Sequence, residues 1–299
     1  MIEELDERFG IPGALRFEAG PGGFVRAVVA TASAVGHVYL HGAHVTHHQP
    51  TGQEPLVFLS PASRFVSGKA IRGGVPVIFP WFGPRPGDAS APEHGFARTA
   101  EWSVESVARG DDESVAVVLR LDATDASRAT WPHDFCIRHR VVFGRRLEMA
   151  LEVESRSAEP FTFEEALHTY LLVGDVRQAT ISGLAGRTYI DKTDGMKRKV
   201  EGTAPLRLTG PTDRVYLDTP TACTIADPVL GRRLVVDKRG SATTVVWNPW
   251  SEKAKTMADL GGDAWSSMLC VETANAADNA VHLAPGEHHR LAALVGITT

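Results

Sequence analysis

Leu147–Ser155 reads LEMALEVES. Leu147, Met149, Leu151 and Val153 take alternate positions, and Glu148, Glu152 and Glu154 take the others. A period of two sets the apolar residues on one face of an extended chain and the charges on the opposite face. Ser114–Asp122 repeats the pattern, with Val115, Val117, Leu119 and Leu121 aligned. Strands with one dry and one wet face are the units of antiparallel sheets. Similar runs occur at Phe24–Ala30, Ala34–Leu40, Pro55–Leu59, Thr99–Val107, Cys136–Phe143, Ala179–Ser182, Val215–Leu217, Leu234–Asp237, Thr243–Trp247 and Arg290–Val295, most of them separated by Gly, Pro, Asn or Asp. One short stretch, Ala123–Thr130, stopped before Pro132, reads as a helix. The pattern predicts an all-β fold, a large antiparallel β-sandwich, with residues 1–299 in a single domain.

Composition sets the outer limits. The 299 residues are 43% hydrophobic and 22% charged, with a formal net charge of −5. That is soluble-globular material, and its mildly acidic balance argues against general nucleic-acid binding. No run approaches the ~18 apolar residues of a membrane helix. The acidic start MIEELDERFG lacks the apolar core of a signal peptide. Three scattered cysteines, Cys136, Cys223 and Cys270, form no close-spaced redox or metal pair. These features lead us to expect a cytoplasmic protein, a monomer, without nucleic-acid or membrane partners.

Two strand-like segments carry chemistry. Phe161–Val173 (FTFEEALHTYLLV) holds His168, and Met268–Asn275 (MLCVETAN) holds Glu272. A histidine and a carboxylate on rigid, half-buried strands can give one proton and take another. Between strands, Ser60–Arg98 breaks the rhythm with many Gly and Pro residues, several cations, Trp81, Phe82 and Phe96. An irregular stretch of this length in a compact domain is uncommon; it either walls a binding site or is a surface loop that covers a sheet edge.

Ile71–Gly83 (IRGGVPVIFPWFG), Glu93–Arg98 (EHGFAR), Ala166–Leu171 (ALHTYL), Asp213–Tyr216 (DRVY) and Val271–Asn275 (VETAN) stand in the order seen in hexose-6-phosphate mutarotases. The opening FGIPGALRF and the segment Gly42–Val45 (GAHV) are also similar to bacterial members. The sequence therefore resembles the glucose-6-phosphate 1-epimerase branch of the aldose 1-epimerase superfamily across nearly its whole length. The resemblance implies a galactose mutarotase-like supersandwich with the sugar in a cleft on a concave sheet. It implies exchange of the α and β anomers of a 6-phosphorylated aldohexose, with no metal and no cofactor. One departure is visible: Glu93 stands where the family pattern PQHGFAR has Gln.

On that basis Glu272 is the candidate base and His168 the candidate acid. A carboxylate in apolar surroundings gains basicity, and a histidine is protonated near neutral pH at little cost. Arg72 and Arg98 are the candidate phosphate ligands, with Lys69 and Arg85 as weaker alternatives. His94, Glu93 and Asp213 are candidates for sugar hydroxyls, and a carboxylate at Glu93 could neutralise Arg98. Trp81 and Phe82 could pack on a sugar face or in the core. Two other readings use the same residues: a non-catalytic carbohydrate-binding or regulatory protein, and an aldose 1-epimerase for unphosphorylated sugars. His37, His41, His44, His47 and His48 crowd one segment, but a continuous strand would split them between two faces, so hydrogen-bonded or exposed histidines are expected there rather than a metal centre.

Overall fold

The structure is a computed structural model and describes residues 1–298. Two eight-stranded sheets and a four-stranded sheet dominate it. One large sheet runs in the order Thr180–Ser182, Cys223–Asp227, Arg232–Arg239, His288–Thr298, Leu147–Ser155, Phe135–Phe143, Val115–Asp122 and Ser103–Arg109. Every neighbouring pair is antiparallel. Leu147, Met149, Leu151 and Val153 are buried while Glu148 is exposed, as the alternation predicts. The polar face is used as well. Glu154, Arg138, Glu105, Arg120, Asp122 and Arg156 close a ring of alternating charges across the strands. Each partly exposed pair contributes about 0.2–1 kcal/mol.

The second large sheet positions the site. Its order is Lys197–Val200, Thr188–Asp191, Thr212–Tyr216, Thr243–Asn248, Met268–Asn275, Glu165–Leu167 and Val77–Ile78, and Tyr170–Leu172 also pairs with Met268–Asn275. On one face, Val246, Val271 and Leu269 join the main core shared with the first sheet. On the other, Ile78, Ala166, Val215, Val245 and Ala274 form a small apolar floor. Met268–Asn275 is thus buried at every position rather than half-buried, because both of its faces are covered.

Other departures are local. Pro55–Leu59 makes only isolated bridges, Val57 to Leu171 and Leu59 to Gly73. Thr99 ends a 3₁₀ turn, and the strand expected there begins at Ser103. The helix expected at Ala123–Thr130 spans Asp125–Thr130, since Thr124 caps it with a reciprocal Thr124–Ser127 pair of bonds. Short helices at Ile2–Phe9 and Trp250–Lys255 are additional. No helix among the described residues is long and apolar enough to cross a membrane, and the three cysteines are free and buried.

The crowded histidines lie on a hairpin, Ala34–Tyr39 with His44–Pro50, and not on one strand. His44 Nε2 donates to the Gly73 carbonyl at 2.7 Å and His48 Nε2 to that of Gly144 at 2.9 Å. His41 contacts the Lys69 carbonyl, and the rings of His37 and His47 lie 5.0 Å apart. His139 Nδ1 bonds the Ala43 carbonyl at 3.1 Å. Burial pushes His44 down to about 3 and His48 and His139 down to about 4. The second ring nitrogen of each has no partner to receive a proton's hydrogen bond. Unfolded histidines take up protons below their ordinary pKa and these three do not, so stability is lost as pH falls through the histidine range. At about pH 5 each contributes a loss of roughly 2 kcal/mol, together about 6 kcal/mol of a typical 5–15. The urea midpoint is therefore expected to drop steeply between neutral pH and about pH 5. An unchanged midpoint across that range would show that these rings are protonated in the native state.

Candidate active site

Strand register builds the floor. Leu167 pairs with Thr273 and Tyr170 with Cys270, so the register holds on both sides of a tight turn in which Thr169 N–H bonds the Leu167 carbonyl. His168 therefore falls opposite Glu272, and its N–H is tied to the Pro76 carbonyl at 3.0 Å. Glu272 in turn sits opposite Val245, and Val245 opposite Val215. The adjacent row runs Tyr170, Cys270, Trp247 and Asp213. Side chains of the two rows share one face of the sheet, as the two-residue period requires.

This floor lies in a cleft of about 390 Å³, a size usual for small-molecule sites. All seven candidates line it: Arg72, Glu93, His94, Arg98, His168, Asp213 and Glu272. Lys69, Arg85 and Trp81 do not. Trp81 is a core residue whose indole donates to the Pro92 carbonyl, and Arg85 pairs with Asp88. Phe82 lines the cleft. The irregular segment thus forms one wall. Gly95 fixes part of it: its φ is +72°, and a Cβ there would meet the Phe79 carbonyl oxygen at 1.9 Å. Only glycine permits both the left-handed turn and that approach, which places His94 over the cleft.

His168 Nε2 lies 3.3 Å from Glu272 Oε1, with both residues buried. Tyr170 stacks on the imidazole, centroids 4.8 Å apart and planes 13° apart, and Trp247 meets it edge-on. Neither Glu272 oxygen has a protein hydrogen-bond donor. Burial, reinforced by Asp213, holds the Glu272 pKa well above the ordinary carboxylate value. Burial also depresses His168 well below its ordinary value, with Arg98 and Arg72 adding to the effect. Burial therefore works against the readily charged His168 expected from sequence. The charged form of both members of the pair is thus disfavoured by burial.

The rim is cationic but unequally so. Arg72 is already engaged by Asp259 at 3.1 Å and by the Tyr170 hydroxyl at 3.1 Å. Lys192 faces Asp213 at 3.5 Å. Arg98 has no carboxylate partner among the described residues and donates Nη2 to the Glu93 main-chain carbonyl at 2.6 Å. The exposed Glu93 carboxylate makes no ion pair with Arg98, so the direct neutralisation considered from sequence is not made. His94 Nδ1 accepts from Gly83 N–H at 3.2 Å, which leaves Nε2 as its donor. Lys192, from the turn after Thr188–Asp191, and Lys253, from Trp250–Lys255, also line the cleft and were missed from sequence, as was Trp247; Tyr170, which strand parity sets on the same face as His168, lines it too.

The family model described as aldose 1-epimerase matches residues 30–294. The chain belongs to the aldose 1-epimerase family. Among curated relatives of this family member, an Escherichia coli K12 protein provisionally named glucose-6-phosphate 1-epimerase is 37% identical over 239 residues, covering 80% of this chain and 79% of its own. A crystal structure of a provisionally named mutarotase from Salmonella typhimurium superposes with a TM-score of 0.90 at 31% identity, over 98% of this chain and 96% of the other. A galactose mutarotase related enzyme from Lactobacillus acidophilus shares the fold, with a TM-score of 0.73 at 15% identity, over 92% of this chain and 97% of its own. This aldose 1-epimerase family member thus has the galactose mutarotase-like fold expected from its sequence.

Proposed function

We propose that the cleft interconverts the α and β anomers of a 6-phosphorylated aldohexose, glucose 6-phosphate as the type substrate, by acid/base ring opening within a single domain. The observation that carries this reading is the His168–Glu272 pair, opposed across two strands at 3.3 Å under a cationic rim. Glu272 takes the proton of the anomeric hydroxyl while His168 gives one to the ring oxygen. The C1–O5 bond breaks, the C1 carbonyl turns, and closure on its other face returns both protons. Each positioned transfer supplies about 10²–10⁴-fold. The phosphate has a second role. A dianion against Arg98 offsets the positive field that depresses His168, and the shared proton moves from Glu272 to the imidazole. Substrate binding thereby produces the carboxylate base and the imidazolium acid together. His94 Nε2, Asp213 and Glu93 are proposed to hold sugar hydroxyls, with Phe82 against an apolar sugar face.

Exchange spectroscopy on the anomeric protons tests the reading, with glucose 6-phosphate and glucose compared at equal enzyme. Faster exchange of the phosphorylated sugar is expected. Exchange of both at the uncatalysed rate would leave a binding protein. No transfer in this scheme needs a Lewis acid, so exhaustive chelation is expected to leave the exchange rate unchanged. Activity lost on chelation and restored by a divalent ion would overturn that part.

A further inference from the structure

The floor of the cleft brings together three metal-ligating groups of different chemistry. His168 Nε2, Cys270 Sγ and a Glu272 carboxylate oxygen all lie within 4.8 Å of one another. All three residues are buried. Both carboxylate oxygens of Glu272 lack a donor, although Glu272 is 1% exposed. Strand register sets the three positions side by side. Cys270 and Glu272 are two apart on one strand and so share a face, and His168 stands opposite Glu272 from the neighbouring strand.

We propose that His168, Cys270 and Glu272 form a tridentate site for a thiophilic divalent cation, Zn²⁺ as the type case, and that filling it stops the chemistry of the cleft. The claim of inhibition rests on the proton-transfer reading above; the claim of binding rests on the geometry alone. Zinc takes His nitrogen and carboxylate oxygen at about 2.0–2.2 Å and thiolate sulfur at about 2.3 Å in a tetrahedron, which sets its ligand atoms about 3.4–3.6 Å apart. The observed His168–Glu272 separation of 3.3 Å already fits one edge. The edges to Cys270 are no longer than 4.8 Å and would have to shorten by about 1 Å or less on binding. His168 and Glu272 line the cleft, and Cys270 is buried beside them. Binding sends the Cys270 thiol proton and the Glu272 carboxyl proton to solvent, and the thiolate and carboxylate then balance the charge of the ion. The neighbouring cations Arg72 and Lys192 are each faced by a carboxylate, Asp259 and Asp213, which leaves Arg98 and Lys253 as the opposing charges of the cleft without a carboxylate partner among the described residues. A thiolate with an imidazole selects Zn²⁺ or Co²⁺ over Mg²⁺ and Ca²⁺. Bound metal occupies both atoms that would carry protons, so catalysis and metal binding exclude each other.

The test uses the full-length protein freed of metal and titrated with Co²⁺. A thiolate-to-cobalt charge-transfer band is expected in the wild type and absent in Cys270→Ser, which retains Cys136 and Cys223. Cys270→Ala provides a second variant should serine disturb the core. In parallel, Zn²⁺ is expected to inhibit anomer exchange, with an inhibition constant raised at least about tenfold in Cys270→Ser, while Mg²⁺ has no effect. A charge-transfer band that persists in both variants, or zinc inhibition indifferent to Cys270, would overturn the site. The cobalt band is read without substrate. A wild type that binds Co²⁺ through Cys270 but lacks exchange activity in metal-free buffer would therefore remove the proposed function and leave the site standing.

Discussion

Glu272→Gln is expected to slow anomer exchange of glucose 6-phosphate by about 10²-fold or more while the protein stays folded. The amide is nearly isosteric with the carboxyl group, so its place opposite Val245 and beside Ala274 is retained. What is lost is the ability to take the proton of the anomeric hydroxyl. Stability should move the other way. Because burial raises the Glu272 pKa in the native state, that state holds its proton to higher pH than the unfolded chain. The residue therefore withdraws stability as pH rises from the ordinary carboxylate range through its native value. Gln carries no such penalty. Its melting temperature should equal or exceed that of the wild type at neutral pH, an instance of a site that trades stability for activity. In the wild type, kcat/KM should fall on the alkaline side, as the proton shared by the pair is lost with an apparent pKa above the usual carboxylate range, and that limb should vanish in the variant. His168→Ala should lose activity by a similar factor. A folded Glu272→Gln protein with normal exchange would refute the assignment.

The sheet was readable because its outer faces are wet. Where a strand meets water on one side, as at Leu147–Ser155, alternation marks it, and the observed burial follows residue by residue. Where both sides are covered, as at Met268–Asn275, the period disappears and only an apolar run with one carboxylate remains. Pro55–Leu59 illustrates the opposite error. It has strand-like residues but lies where the chain crosses between sheets, and it makes bridges without a ladder. The seven candidate site residues came from short motifs, and all seven line the cleft. The motifs missed what tertiary register alone decides. Lys192 and Lys253 sit on a turn and a short helix whose approach to the cleft has no local signal. Trp247 has no local signal either; the pairing of Tyr170 with Cys270 and of Cys270 with Trp247 sets it beside the imidazole.

Arg98→Ala is expected to separate the two classes of sugar. Removing one partner of a buried, hydrogen-bonded charge pair costs about 2–5 kcal/mol, so kcat/KM for glucose 6-phosphate should fall by about 30-fold or more. Glucose has no phosphate to lose, and its exchange should be unchanged or faster, since Arg98 is the largest single charge depressing His168. Arg72→Ala should behave differently, although the sequence gives the two arginines equal standing. Asp259 and the Tyr170 hydroxyl already hold Arg72, so its loss frees the ring stacked on His168 and should impair both sugars. Glu93→Gln should tighten phosphate binding only slightly, because its carboxylate is exposed and Arg98 bonds the main-chain carbonyl instead. Salt will screen that residual repulsion further. Measuring exchange for both sugars across the three variants decides the matter. Equal losses for glucose and glucose 6-phosphate in Arg98→Ala would remove the phosphate from that residue and favour an epimerase of unphosphorylated sugars.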